Sequence, residues 1–227
     1  GSSVAASNGA ATGSTSVTVV GVNVGESAYS ARVRVGRTRG EVTSWVSDSA
    51  VMCKRAQGVN SARMTVSTVY GGVGTQTQAL TYDRVAGSSA VWTNGVATGS
   101  VSVTVVGSSV GSSDWSAQLR VRGSGGEATV WTSGSSLRCK RSAGVGGCLG
   151  VATSLDVRQG TLTQSVTFDG SGPSTVVRTN GATTGASSVT VVGSNAGNSR
   201  FSPGQRIGHS VGERSVWTSD SSVRCKP

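Results

Sequence analysis

The residues with the most chemical potential in this chain are four cysteines, one histidine and a thin set of acids. Cys53, Cys139 and Cys225 are spaced by 86 residues, and Cys148 stands outside that series. A thiol can be a nucleophile, a metal ligand or half of a disulfide. Zinc is not expected, because no C-x-x-C pair occurs and His209 is the only histidine. A hydrolytic triad needs a base beside its nucleophile, and one histidine cannot serve three copies of anything. Glu41, Glu127 and Glu213 recur singly, and Asp48 and Asp220 share a position that is Gly134 in the middle copy. Calcium sites gather several oxygens from clustered acids, and no such cluster exists. No enzyme activity, cofactor or metal is expected. The recurrent glutamates are expected to pair with Arg34, Arg120 or Arg206 on a strand surface.

Three readings stay open for the cysteines. They are small buried apolar residues, a local Cys139–Cys148 bridge across a Gly-rich loop, or intermolecular cross-links in an oxidising compartment. The lysines raise a second question. The only three, Lys54, Lys140 and Lys226, each follow a repeat cysteine, and Arg55 and Arg141 follow two of them. This basic spot is a candidate contact for an anionic polymer such as an acidic glycan, or a guard on a strand edge. The basic residues are otherwise spread singly, with no recognised reading motif, so no nucleic-acid partner is expected. Aromatic residues are also periodic. Trp45, Trp131 and Trp217 share one position, and Tyr29, Trp115 and Phe201 share another. Both sets suit a core, or a row of exposed rings for stacking on sugar. Trp92 does not recur and suits a junction between copies.

The elements that must carry these groups repeat without a gap. Val17-Thr18-Val19-Val20-Gly21 returns from Val103 and again from Val189, and Asn8-Gly9 returns as Asn94-Gly95 and Asn180-Gly181. Such periodicity outranks other sequence signals. It divides the chain into repeat 1 (1–86), repeat 2 (87–172) and an incomplete repeat 3 (173–227). Repeat 3 stops about 30 residues short by this alignment. The expectation is that the natural chain continues, or that a neighbouring chain adds the missing strands.

Within a repeat, short Val/Thr-rich runs alternate with Gly, Ser and Asn, and no sustained 3.6-residue period appears. Strands are expected over 3–6, 16–20, 31–35, 41–46, 50–54, 63–68 and 75–82. Seven short strands in about 86 residues suit an all-β, immunoglobulin-like sandwich. The chain of 227 residues carries a formal charge of +10, with 35% hydrophobic and 4% aromatic residues, which fits several small cores rather than one large one. No apolar run reaches the length of a membrane span, no signal peptide is evident at the start, and no N-x-Ser/Thr sequon occurs.

The run from Gly9 to Asp83 resembles the IPT/TIG family of immunoglobulin-like domains. Val17 to Gly21, Gly25, Val33-Arg34-Val35-Gly36, the Trp45–Cys53 segment and Leu80-Thr81-Tyr82-Asp83 carry the resemblance. It implies tandem immunoglobulin-like sandwiches in an extracellular or cell-surface protein, with a DNA-binding subset in transcription factors. It also implies a cysteine where this chain has Gly40, Gly126 and Gly212, so the family's disulfide partner for Cys53, Cys139 and Cys225 is missing. The leading expectation is a non-enzymatic structural repeat of a surface fibre, filament or wall layer, whose partners are copies of itself or neighbouring repeats. An adhesin for anionic polysaccharide is the alternative.

Overall fold

The structure, a computed structural model, describes residues 3–27, 31–67, 72–156, 158–185, 187–198, 201 and 203–226. Among these residues there is no helix, and the strands fall into three copies. Repeat 1 contains β1 (Ser3–Ala5), β2 (Asn8–Gly9), β3 (Ser16–Val20), β4 (Arg32–Val35), β5 (Thr38–Arg39), β6 (Val42–Ser47), β7 (Ala50–Lys54), β8 (Ala62–Ser67) and β9 (Val73–Tyr82). Repeat 2 contains β10 (Ala86–Val91), β11 (Ser102–Ser108), β12 (Gln118–Val121), β13 (Ser124–Gly125), β14 (Ala128–Ser133), β15 (Ser136–Lys140), β16 (Leu149–Leu155) and β17 (Arg158–Val166). Repeat 3 contains β18 (Gly172–Val177), β19 (Val189–Ser194), β20 (Arg206–Ile207), β21 (Ser210–Val211), β22 (Arg214–Ser219) and β23 (Ser222–Lys226). All seven strands expected in repeat 1 have a counterpart, with Thr68, at the end of one of them, lying outside the described residues. β2 and β5, two residues each, are additions that are too short to show a period.

Repeat 1 packs the sheet β1-β3-β7-β6 against the sheet β2-β9-β8-β4-β5. Strand alternation sets the packing. In β3 and β4 every second residue is valine and faces inward; Val17 and Val33 are fully buried there, as is Val51 on β7. Repeat 2 repeats the plan with β10-β11-β15-β14 and β13-β12-β16-β17, around Val103, Leu119 and Val166. Repeat 3 has the sheet β18-β19-β23-β22 and, among the described residues, only the hairpin β20–β21 beside it. Val189 and Val191 are half-buried there, whereas their equivalents in the other repeats are buried.

The gap-free spacing hides a slip. In repeat 1, Val35 lies opposite Met64, and Met64 lies opposite Gln76. In repeat 2, Val121 lies opposite Val151, and Val151 lies opposite Leu162. Gln76 and Leu162 are 86 apart, but Met64 and Val151 are 87 apart. β16 is therefore displaced by one residue relative to β8, and the following hairpin absorbs the difference. A one-residue slip moves every side chain to the other face. Arg63 thus stands where repeat 2 has Gly150, and Thr65 where it has Ala152.

Candidate functional site

The three periodic cysteines are interior. Cys53, Cys139 and Cys225 lie on β7, β15 and β23, opposite Val17, Val103 and Val189. All four cysteines are free, and only Cys148 is exposed. Among the open readings the structure fits the small apolar one. Cys53, Cys139 and Cys225 are buried, whereas Cys148 is exposed. Burial pushes the Cys53 thiol up to about 11, against the opposing pull of Arg55. Burial likewise raises Cys139, with a Thr129 hydrogen bond opposing it. Such thiols stay protonated at neutral pH and are poor nucleophiles. A β-carbon at Gly40 would lie 3.7 Å from that of Cys53, the separation found across a disulfide. The glycine therefore occupies the partner position that the family resemblance implies.

Lys54, Lys140 and Lys226 are exposed on the strand ends. Lys140 pairs with Glu127 at 3.6 Å and Lys226 with Glu213 at 3.3 Å. Glu127 and Glu213 therefore meet the lysine of the adjacent strand rather than Arg120 or Arg206, and Glu41 meets Ser14 rather than Arg34. The Ser14 and Ser100 hydroxyls also donate to Glu41 and Glu127, at 3.0 and 3.1 Å. Two of the three basic spots are already locally neutralised, at a surface where such pairs add little stability. His209 is exposed in the β20–β21 turn.

Arg55 and Arg141 are not contact residues, because both are fully buried at 0% exposure. Each guanidinium closes its repeat from within. Arg55 donates to the carbonyls of Asn8 at 2.5 Å and Thr81 at 3.3 Å. Arg141 donates to those of Thr93 at 3.0 Å and Thr167 at 3.1 Å. The Tyr82 and Phe168 rings lie under the cations at 5.7 and 4.9 Å. Gly9 and Gly95 recur for this reason, since a β-carbon at either would collide with the guanidinium. Asn8 donates to Asp83 at 2.7 Å and accepts from the Thr81 hydroxyl at 2.8 Å. Asn94, Asp169 and Thr167 repeat that lock at 2.6 and 2.7 Å. Burial lowers the Arg141 pKa, and Asp169 opposes the shift. The clasp ties the beginning of a repeat to its last strand. A charge after a strand reads as a surface group in sequence, so its inward turn was missed. The recurring Asn-Gly was the available signal.

The aromatic positions pack rather than form a platform. Trp45 and Trp217 donate from Nε1 to the carbonyls of Gly25 and Gly197, each at 3.0 Å. A bulge follows each of the three periodic tryptophans and bends the strand. Trp115 rests on Gly111 and Phe201 on Gly197. Tyr29 lies outside the described residues. Trp92 is 75% exposed, with a left-handed φ of 65°.

Repeat 2 departs from the others at the end that faces repeat 1. Val85, just past the last strand of repeat 1, is buried with Val110, Ala117, Leu137 and Leu155, and Trp115 and Trp131 cover them. Arg158, at the start of β17, donates to the carbonyls of Tyr82 and Asp83, the latter at 2.8 Å. Gly134 explains its own exception to the repeat. A β-carbon there would lie 2.9 Å from Thr12 Cγ2 of repeat 1. In the other copies the aspartate at this position accepts from a backbone amide of its own repeat, Asp48 from Gly25 at 2.8 Å and Asp220 from Gly197 at 2.9 Å. The middle copy thus gives up a local cap where the neighbouring repeat approaches.

Residues 2–83 match the IPT/TIG domain model. No curated protein matches the sequence. Similar solved structures include the full extracellular region of plexin A4, at 13% identity and a TM-score of 0.37, covering 100% of this chain and 20% of that one. The surface glycan-binding protein PbSGBP-B from Prevotella bryantii matches at 11% identity and a TM-score of 0.44, covering 70% of this chain and 38% of that one. The I9–I11 tandem from titin matches at 8% identity and a TM-score of 0.29, covering 96% and 84%. This chain therefore spans about a fifth of the length of the plexin chain.

Proposed function

We propose that this chain, whose first repeat is an IPT/TIG domain, is a non-catalytic length of a cell-surface array in which immunoglobulin-like units act as spacers. The observation that carries this reading is the joint between repeats 1 and 2. A linker residue, Val85, is buried in the second repeat, and Arg158 reaches back to the last carbonyls of the first. Flexible tethers between domains leave their residues in water, whereas buried junction residues resist bending. The clasp supports the same role, because Arg55 fixes the strand that hands the chain to the joint. An extracellular setting accords with the family, and further copies of the repeat are the natural neighbours along such an array.

The test is small-angle scattering on the 227-residue chain and on Arg158→Ala. The parent should give one narrow distribution of maximum dimension, and the variant a broader one with unchanged circular dichroism. A parent that already scatters as freely hinged units overturns the spacer reading. Negative-stain images showing compact, unordered particles of the intact protein would count against it as well.

A further inference from the structure

We infer that the outer face of the five-stranded sheet in repeat 1 binds a linear polyanionic polysaccharide. Four arginines share that face. Arg32 and Arg34 project outward from β4, while Val33 and Val35 point into the core. Arg39 on β5 lies directly opposite Arg34, so the two share a face. Arg63 precedes the buried Met64 on β8 and is exposed. Thr65 and Ser67, opposite Arg34 and Arg32, place hydroxyls among them. Arg37 adds a fifth exposed cation in the β4–β5 turn.

Like charges directly across strands destabilise a sheet, so the pair Arg34 and Arg39 does not serve folding. Edge protection accounts for Arg39 on the outermost strand but not for arginines on β4 and β8, which are interior strands of the sheet. Repeat 2 forms the same sheet with Gln118, Gly125 and Gly150 in place of Arg32, Arg39 and Arg63. The fold therefore does not require the arginines. None of the four has an ion pair or side-chain hydrogen bond among the described residues. The acids of repeat 1 are mostly engaged elsewhere: Glu41 with Ser14, Asp48 with the Gly25 amide and Asp83 with Asn8. The field on this face is thus unneutralised.

The chemistry selects the ligand. Guanidinium forks match sulfate and carboxylate oxygens two at a time. Arginines spaced about 5 Å across strands and about 7 Å along one present a flat grid rather than a single-ion pocket, which suits a charged chain lying across it. The Thr and Ser hydroxyls add partners for sugar hydroxyls. Single-stranded nucleic acid would want aromatic stacking surfaces, and this face has none among the described residues.

The experiment measures binding of heparin, as a sulfated polysaccharide, to the full 227-residue chain by surface plasmon resonance across a salt series. Neutral dextran and oligodeoxythymidylate of matched charge run alongside. The expected result is salt-sensitive heparin binding, weakened at least about tenfold in Arg32→Gln/Arg39→Gln/Arg63→Gln and less than about twofold in Lys54→Ala/Lys140→Ala. The reverse graft guards against a misfolded variant. Gln118→Arg/Gly125→Arg/Gly150→Arg has space at both glycines and should tighten binding severalfold. Absence of heparin binding, equal losses in the arginine and lysine variants, tighter binding of the oligonucleotide, or no gain in the graft would each overturn the inference. These outcomes do not touch the spacer reading, which scattering tests separately.

Discussion

The first joint between repeats is built from side chains, and the second is strung through small exposed ones. At the first, Val85 is buried and Gly134 makes room for Thr12. At the second, the matching positions are Ser171, which is exposed, and Asp220, which caps its own repeat. Gly170 and Gly172 flank that serine. The difference shows how one repeating scaffold yields unlike joints through single positions. A valine gains stability by leaving water, whereas a serine between glycines gains nothing from burial. The scaffold leading into both joints is the same, since repeats 1 and 2 each clasp their outgoing strand with an interior arginine.

Removing the clasps should have the largest effect. Arg55→Ala and Arg141→Ala each leave two carbonyls without their donor and open a cavity where a fully buried side chain stood, so each should cost about 3–5 kcal/mol. Urea denaturation checks the stability, and scattering checks the joints. Arg55→Ala should also broaden the dimensions of the molecule, because its strand leads into the built joint. Arg141→Ala should leave the dimensions of repeats 1 and 2 unchanged. Equal broadening by both would remove the distinction between the joints.

A finer test swaps the position that distinguishes them. Gly134→Asp restores the cap found in the other copies but crowds Thr12, and should cost about 1–2 kcal/mol at the joint. Asp220→Gly loses only a local cap and should cost about 1 kcal/mol or less, with no change at the first joint. Hydrogen exchange of the Val85 and Thr12 amides would separate the two effects. No change there in Gly134→Asp would mean that Thr12 makes no energetic contact.

The smallest effect concerns the thiol beside the first clasp. Cys53 is raised from 9.0 to about 11 by burial, so well below pH 9 it is neutral both folded and unfolded and contributes no pH dependence. Between about pH 9 and 11 the unfolded chain releases this proton while the folded one retains it, and stability falls. Urea midpoints from pH 8 to 10.5 should decline, and Cys53→Ala should decline less. Identical slopes would show that Tyr82, also raised by burial, or another group carries the dependence.

The retained resemblance between repeats also explains why some roles were legible before the structure and others were not. The recurrence of Asn8-Gly9 announced a constraint without its cause, which is the guanidinium 46 or more residues away in sequence. Gly134 stood out as the one break in an Asp position, yet its neighbour Thr12 belongs to another repeat. The arginine face of repeat 1 is split in sequence between 32–39 and 63, and only the pairing of β4 with β5 and β8 brings the two segments onto one face.

The repeat, the all-β class and most strand positions are written in local sequence, because alternation and turn residues act within a few neighbours. The inward turn of Arg55 and Arg141, the burial of Cys53, Cys139 and Cys225 and the packing of one joint emerge only when the chain is folded. Those outcomes depend on which carbonyls and methyl groups arrive from distant segments. A long side chain beside a strand end goes to water or to the interior according to whether the folded chain offers partners for its charge.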